Sequence, residues 1–218
     1  MFYSGQNNLI TDVDNILVGN AEDKDIGTGT TILIPPIGST AAADVRGGAP
    51  GTREVGALNP YNLVDTIDAI VLSGGSAWGL EAASSAANFI GKSGRGFKTS
   101  ENIKNVPMVP AAILFDLSNG GNKDWGDTPP YNKLGIEATS KASIKFKLGN
   151  IGAGYGAKAG SLKGGLGSAS FENAEGLKVG GLFAVNSFGS VVNSETGQFW
   201  AASDELNNEF GGMGAPQD

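Results

Sequence analysis

Apolar positions along the chain occur in short runs separated by glycine- and proline-rich segments, a pattern typical of sheets with tight connections. Residues 28–36 form a β-branched run that two prolines close, and residues 67–72 form a second apolar run. Both predict buried strands. A third strand is predicted within residues 106–117, where the prolines lie near the start. Residues 9–19 have mixed spacing and predict a short strand and a turn.

The clearest local structure follows the strand at residues 67–72. Gly74 and Gly75 turn the chain, Ser76 is a candidate helix N-cap, and small residues continue to Ile90, after which a lysine and a glycine close the predicted helix. A strand, a Gly-Gly-Ser turn and a helix in this order place backbone N–H groups at a helix N-terminus. Such groups stabilise developing negative charge.

The second half of the chain contains weaker signals. A helix is predicted over residues 131–142, and residues 176–198 alternate well enough for two strands joined near Phe188, with Asn186 at the end of the first. The predicted strands and helices alternate irregularly and without an internal repeat. This order favours a layered α/β or α+β domain over a regular βαβ series, and we expect residues 1–218 to form a single domain.

Charge and hydropathy exclude several classes of partner. The formal charge of −7, without a basic patch, argues against a nucleic acid or an anionic membrane as partner. No apolar run approaches the ~20 residues that a membrane span requires. The N-terminal residues lack the charged and apolar regions of a secretory signal, so a cytoplasmic location is expected.

The absence of two residue types narrows the possible chemistry. The chain contains no histidine, so it cannot build a Ser-His-Asp triad alone. It contains no cysteine either, which excludes a thiol nucleophile and a zinc-thiolate site. If the protein is an enzyme, its base must be a lysine, an acidic residue, a tyrosine or a free α-amine.

Gly149–Ser170 is rich in glycine, and its only charged residues are Lys158 and Lys163. Three interpretations are open. Residues 152–157 fit the dinucleotide-binding spacing G-x-G-x-x-A, although the segment after them is a poor helix. The stretch can instead be a structural crossover where two sheet layers approach closely. In the third interpretation it is a catalytic surface, on which one of the two lysines polarises a nucleophile held elsewhere.

Six segments together resemble the DmpA-type aminopeptidase family of N-terminal nucleophile hydrolases, which includes the nylon-oligomer hydrolases. They occur in the family's order and span nearly the whole chain. The segments are TGTT (28–31), DVRGGAPGTRE (44–54), AIVLSGGSAWGLEAA (69–83), VPMVPAAILFDL (106–117), the glycine stretch (149–170) and GGLFAVNSFG (180–189).

The resemblance implies an architecture that the residues alone do not reveal. Family members cleave themselves into an α chain and a smaller β chain, and the new N-terminal Thr or Ser of the β chain is the nucleophile. On this basis the sequence looks like an α chain, with the cleavage after or near Asp218 and the nucleophile outside the sequence. The implied fold is the four-layer αββα sandwich that the family shares with ornithine acetyltransferases. It would be completed by the separate β chain, and the implied assembly is α4β4.

The resemblance also assigns roles to individual residues. Asn186 matches an asparagine that helps to form the oxyanion hole. Lys163 matches a recurrent lysine, but the glycine run aligns with a slip of a few positions, so Lys158 and Ser161 remain competitors. The residues that would bind the substrate are those of the Gly-Gly-Ser-Ala turn, namely Gly74, Gly75, Ser76 and Ala77.

The implied activity is hydrolysis of amide bonds through an acyl-enzyme, without a metal or another cofactor. The expected substrates are small peptides, β- or D-amino-acid amides, or 6-aminohexanoate oligomers. Two alternatives are an acyltransferase that resembles ornithine acetyltransferase and a glycine-rich binding protein without enzymatic activity.

Overall fold

The computed structural model describes residues 2–216, which fold into three stacked layers. The strands are β1 (Phe2–Ser4), β2 (Leu17–Asp23), β3 (Thr28–Ile34), β4 (Thr52–Arg53), β5 (Ile70–Ser73), β6 (Ala111–Ile113), β7 (Lys158–Ala159), β8 (Leu162–Lys163), β9 (Gly165–Asn173) and β10 (Lys178–Val185). The helices are α1 (Glu81–Gly91) and α2 (Tyr131–Ser140). Short 3₁₀ turns occupy Ile10–Asp12, Val55–Leu58, Ser76–Leu80, Gly152–Gly154 and Ala202–Asp204.

The central layer is a five-stranded sheet with the strand order β2-β3-β5-β6-β4. Its neighbouring strands are antiparallel except for the parallel pair β5 and β6. Side chains alternate across β3, as the period of a strand requires. Ile32 faces the helices and packs in a core with Val71 and Tyr131, all fully buried. Thr31 and Leu33 face the opposite side of the sheet.

Glycine lets the helical layer approach closely at two positions. A Cβ added to Gly19 in β2 would lie 2.0 Å from the carbonyl oxygen of Ala138 in α2. A Cβ added to Gly135 in α2 would lie 2.4 Å from the carbonyl oxygen of Ala82 in α1. Any larger side chain at either position would therefore push the helix away from its neighbour.

The third layer is an antiparallel sheet with the order β1-β9-β10. Between it and the central sheet lies an apolar cavity of about 240 Å³, lined among others by Leu33, Leu72 and Leu182. The outward side chains of β10 include Val179 and Phe183, which are 54% and 63% exposed. The layers of residues 2–216 thus run α, β, β. The second helical layer of the predicted αββα sandwich is not formed by this part of the chain.

Periodicity predicted the long elements better than the short ones. The strand predicted at residues 28–36 is confirmed as β3, and the helix predicted at 131–142 is confirmed as α2. Within residues 106–117, only Ala111–Ile113 forms a strand, because Pro107 and Pro110 lack the N–H that a ladder requires.

Two further expectations about local structure are wrong. Residues 9–19 begin with a 3₁₀ turn, and β2 starts only at Leu17 and continues to Asp23. The second strand predicted in residues 176–198 is reduced to a bridge between Val192 and Phe199. In both regions tertiary contacts, and not local alternation, determine the structure.

Ser76 does not cap the helix as predicted. Gly75 and Ser76 both have positive φ angles, of 89° and 53°, and a 3₁₀ turn over Ser76–Leu80 precedes α1. The Ser76 side chain makes no capping hydrogen bond, and α1 begins at Glu81. A positive φ is uncommon for serine, so the surrounding structure must hold this turn in place.

Neither α1, with 11 residues, nor α2, with 10, is long enough to cross a lipid bilayer, and residues 2–216 contain no other α-helix.

Candidate active site

Asn186 directly follows β10, and two backbone groups fix its side chain. The Oδ1 atom accepts a hydrogen bond from the Lys158 N–H at 3.0 Å, and Nδ2 donates to the Phe115 carbonyl oxygen at 3.3 Å. A side-chain amide carries two N–H groups, so one can still donate to a ligand. The side chain is thus held in a fixed orientation and keeps a hydrogen-bond donor, as an oxyanion-binding asparagine requires.

The two candidate lysines lie opposite each other in a small hairpin. Strands β7 and β8 pair with Lys158 across from Lys163, and Gly160 and Ser161 form the turn between them. Directly opposed residues have Cβ atoms ~4.5–5.5 Å apart on the same face. Both lysines line one cleft, whereas Ser161 lies at the tip of the hairpin and outside the cleft lining. The two lysines between which the alignment does not decide, Lys158 and Lys163, are therefore neighbours in space.

The cleft beside this hairpin has a volume of about 370 Å³. The turn between β2 and β3 forms one wall, the loop after β6 a second wall, and the glycine stretch the floor. The side chains that line it include Lys24, Asn119, Asn150, Tyr155, Lys158 and Lys163. The glycine stretch thus forms part of a cleft, and its interpretation as a catalytic surface stays a prediction.

The dinucleotide-binding interpretation of the glycine stretch is wrong. Gly152–Gly154 forms a 3₁₀ turn, and a hairpin and a strand follow it where that motif requires a helix. The turn instead packs closely on β3. The Ala153 N–H donates to Thr31 Oγ1 at 2.9 Å, and a Cβ on Gly29 would lie 2.1 Å from the Gly152 carbonyl oxygen. Residues 152–154 are therefore a close crossover, whereas Asn150, residues 155–158 and Lys163 line the cleft.

Three backbone N–H groups of the Gly-Gly-Ser-Ala turn donate hydrogen bonds within the fold. The Gly74 N–H donates to the Gly29 carbonyl at 2.9 Å, and the Ser76 N–H donates to the Leu114 carbonyl at 3.0 Å. The Gly75 N–H donates to Asp116 Oδ1 at 2.7 Å. A substrate-binding role for Gly74, Gly75, Ser76 and Ala77 stays a prediction, and the pairing of three of these N–H groups argues against backbone donation by them.

The acceptor of the Gly75 N–H, Asp116, was missed by sequence reasoning. It is 2% exposed and also accepts a hydrogen bond from Thr28 Oγ1 to Oδ2 at 2.6 Å. The Tyr131 hydroxyl donates to the same Thr28 oxygen at 3.4 Å, and burial raises the pKa of Tyr131 to about 12. The available signal was an acidic residue at the end of an apolar run, where a buried carboxylate requires hydrogen-bond donors.

Residues 115–119, which follow β6, connect all parts of the site. The Phe115 carbonyl accepts from Asn186, and the Ser118 carbonyl accepts from Lys158 Nζ at 3.2 Å. Asn119 Nδ2 donates to one carbonyl in the turn after β2 at 2.6 Å and to one in the glycine stretch at 2.9 Å. Together with the contacts of Asp116, these bonds make this segment the support that positions the side chains of Asn186 and Lys158.

Lys123 lies beside this support and is half-buried. Its ammonium group donates to the Ile26 carbonyl, and burial lowers the pKa of Lys123, while the charges of Asp116 and Asp23 oppose this effect. The predicted cleavage position at Asp218 lies outside the described residues 2–216.

Residues 8–209 match the sequence model of peptidase family S58. The chain is 41% identical over 211 residues to an uncharacterized aminopeptidase of Mycobacterium tuberculosis, an alignment that covers 93% of this chain and 59% of that protein. It is 29% identical over 168 residues to a 6-aminohexanoate-oligomer endohydrolase of Kocuria sp. (strain KY2), covering 73% of this chain and 41% of the relative. The chain thus spans well under two thirds of these relatives' length.

A solved structure shares the fold. The L-aminopeptidase D-Ala-esterase/amidase of Ochrobactrum anthropi, described as a variant of the Ntn-hydrolase fold, superposes with a TM-score of 0.63 at 20% identity. The match covers 86% of this chain and 55% of that chain. The likeness confirms the predicted α/β fold class of these hydrolases.

Proposed function

We propose, on the premise that this chain belongs to peptidase family S58, that it forms the larger part of an amide-bond hydrolase with an N-terminal Thr or Ser nucleophile. Self-cleavage of a precursor after or near Asp218 would expose this nucleophile on a β chain. The predicted α4β4 assembly and the cytoplasmic location belong to the same proposal. The greater length of the relatives is consistent with such a β chain.

One observation carries the catalytic part of the proposal: Asn186 Oδ1 lies 3.0 Å from the backbone nitrogen of Lys158, a residue at the edge of the cleft that both lysines line. A nucleophile at this edge attacks the substrate carbonyl, and its own α-amine accepts the proton. The free N–H of Asn186 donates to the tetrahedral oxyanion. Lys163, or Lys158 in its place, polarises the nucleophile and shares the proton transfer with this α-amine.

The names of the relatives support the substrate class. They are an uncharacterized aminopeptidase and a 6-aminohexanoate-oligomer endohydrolase, and both names describe hydrolases. For this protein we therefore infer linear amides with a free amino end: small peptides, β- or D-amino-acid amides, or 6-aminohexanoate oligomers.

Mass spectrometry and a hydrolysis screen on the full-length protein test the proposal. We expect two tightly associated chains, the smaller beginning with Thr or Ser, and hydrolysis of at least one of these amide classes. An uncleaved protein with full activity would contradict the nucleophile assignment. Transfer of an acyl group to an amine in clear excess over hydrolysis would contradict the reaction type.

A further inference from the structure

The cleft beside the β7–β8 hairpin is positively charged in a chain whose overall charge is negative. Three lysines line it, Lys24, Lys158 and Lys163, and no acidic residue does. The chain as a whole has 22 acidic and 15 basic residues, so a purely basic lining is not what its composition would produce. Within residues 2–216, none of the three lysines forms an ion pair with a carboxylate.

The hairpin concentrates this charge. Lys158 and Lys163 are directly opposed across β7 and β8, and like charges in this arrangement repel and destabilise the pair. The ammonium group of Lys158 bonds a neutral carbonyl oxygen, that of Ser118, and not a carboxylate. An anion between the two lysines would remove the repulsion. Solvated surface lysines need no such arrangement, since a single-residue change of register would place them on opposite faces.

Neutral groups make the cleft suitable for a small organic anion. Tyr155 and Asn150 line it beside the lysines and can supply hydrogen bonds without adding negative charge. Asn119 cannot contribute a donor, because its amide already bonds two backbone carbonyl groups. The recognition therefore depends mainly on the ammonium groups, which attract a carboxylate but do not distinguish its substituents.

We infer that this cleft, which we call the lysine cleft, binds the carboxylate of the substrate. The inference rests on the proposed function and narrows it to linear amides with a free carboxylate close to the scissile bond. Lys158 connects the two sites, because its N–H bonds Asn186 while its side chain lines the cleft. Neighbouring residues of a peptide lie only ~3.8 Å apart at their Cα atoms. A short leaving group therefore reaches from the oxyanion position into the cleft.

A matched pair of substrates tests the inference in the full-length protein. β-Alanylglycine and β-alanylglycinamide differ only in the charge of the leaving group. We expect the acid to have the higher kcat/KM, chiefly through a lower KM, and we expect this preference to shrink as NaCl is added because salt screens exposed charges.

Variants of Lys24 identify the source of the preference, because this lysine is distant in sequence from the candidate catalytic lysines. Lys24→Gln should lower the acid-to-amide ratio of kcat/KM by about threefold to fivefold, the upper part of the range of an exposed ion pair. Lys24→Arg should restore most of it. The control is Lys133→Gln, which removes the same charge from an exposed position on α2 and should leave the ratio unchanged.

The outcomes separate this inference from the proposed function. If both substrates are hydrolysed and the ratio is the same in wild type, Lys24→Gln and Lys133→Gln, the carboxylate site is wrong and the hydrolase remains. If neither is hydrolysed, the proposed hydrolysis of such amides is wrong. The carboxylate site is then tested by NMR, which compares the binding of N-acetylglycine with that of N-acetylglycinamide. Equal binding of the two, or binding of inorganic phosphate with which N-acetylglycine does not compete, would overturn the inference.

Discussion

The two faces of the central sheet differ in how completely this chain covers them. On the helical face, Ile32, Val71 and Tyr131 are fully buried between β3, β5 and the two helices. On the other face, Leu33 borders an apolar cavity of about 240 Å³, and the sheet beyond it exposes Phe183. The lysine cleft and Asn186 belong to the incompletely covered side. The residues of the buried core and the candidate site residues thus lie on opposite sides of the central sheet, and substitutions can test this separation.

The strongest test compares two neighbouring residues of β3 that point to opposite faces. Ile32→Ala leaves a cavity in a closed core and should lower the free energy of unfolding by ~2–5 kcal/mol. Leu33→Ala should cost clearly less in this chain alone, because Leu33 already borders a cavity. Chemical denaturation measures both. Equal losses would show that the two faces are equally packed. In the full-length protein the difference should narrow if a further segment fills the cavity.

Asn186→Ala should affect chemistry with little effect on stability. Loss of an oxyanion donor lowers kcat by ~10²–10³-fold. Because Asn186 lies on the open side and its two hydrogen bonds are exposed, the free energy of unfolding should fall by only about 1 kcal/mol. Steady-state kinetics and thermal unfolding of the full-length protein measure the two effects, with Asn132→Ala on the surface of α2 as the control. Unchanged kcat would remove Asn186 from the mechanism.

The helical face should respond to alkaline pH through Tyr131. Burial raises its pKa from 10.0 to about 12, so folding favours the neutral phenol. That contribution is complete below pH 10 and is lost as the pH rises through about 12, because the unfolded state releases the proton first. Wild type should lose up to ~3 kcal/mol more than Tyr131→Phe over this interval. Denaturation at several pH values measures this, and parallel curves for the two proteins would contradict it.

Asp116 lies where the two regions meet, so its substitution should affect both. Asp116→Ala leaves the Gly75 N–H without its acceptor and should cost ~1–3 kcal/mol of stability. It should also lower kcat, because residues 115–119 hold Asn186 and Lys158 in position. Asp116→Asn keeps an acceptor oxygen and should recover most of both losses. If Asp116→Ala destabilises the protein but leaves kcat unchanged in the folded fraction, the positioning role is wrong.

The local sequence pattern was sufficient to predict an element that is long and packs along its whole length. The β-branched run of β3 and the helical spacing of α2 each contain enough residues for their period to be visible. β4 and β6 contain two and three residues, and they are strands because they pair with each other and β6 pairs with β5. No local signal encodes such a pairing, since it depends on segments distant in sequence.

The site residues became visible for different reasons. Lys158 and Lys163 were visible as the only charged residues of the glycine stretch. Asn186 was identified through the resemblance, because an asparagine at a strand end has no local mark of function. Asp116 was not identified from the sequence, because its hydrogen-bond partners, Thr28 and Gly75, lie 88 and 41 residues away in sequence. Alignment did not decide between Lys158 and Lys163, because the glycine run aligns with a slip of a few positions. In the fold the two lysines are neighbours at the same end of one hairpin.

Strand β10 has a free edge that bears on the proposed synthesis of both parts as one precursor. Its eight residues pair with β9 on one side, while its other side is a sheet edge within residues 2–216. Such an edge, with Val179 and Phe183 exposed, is a template on which a strand from another molecule can add. A chain synthesised alone would therefore risk aggregation during folding. Synthesis of both parts as one precursor, as proposed above, would keep any covering segment at high local concentration while the edge is still open.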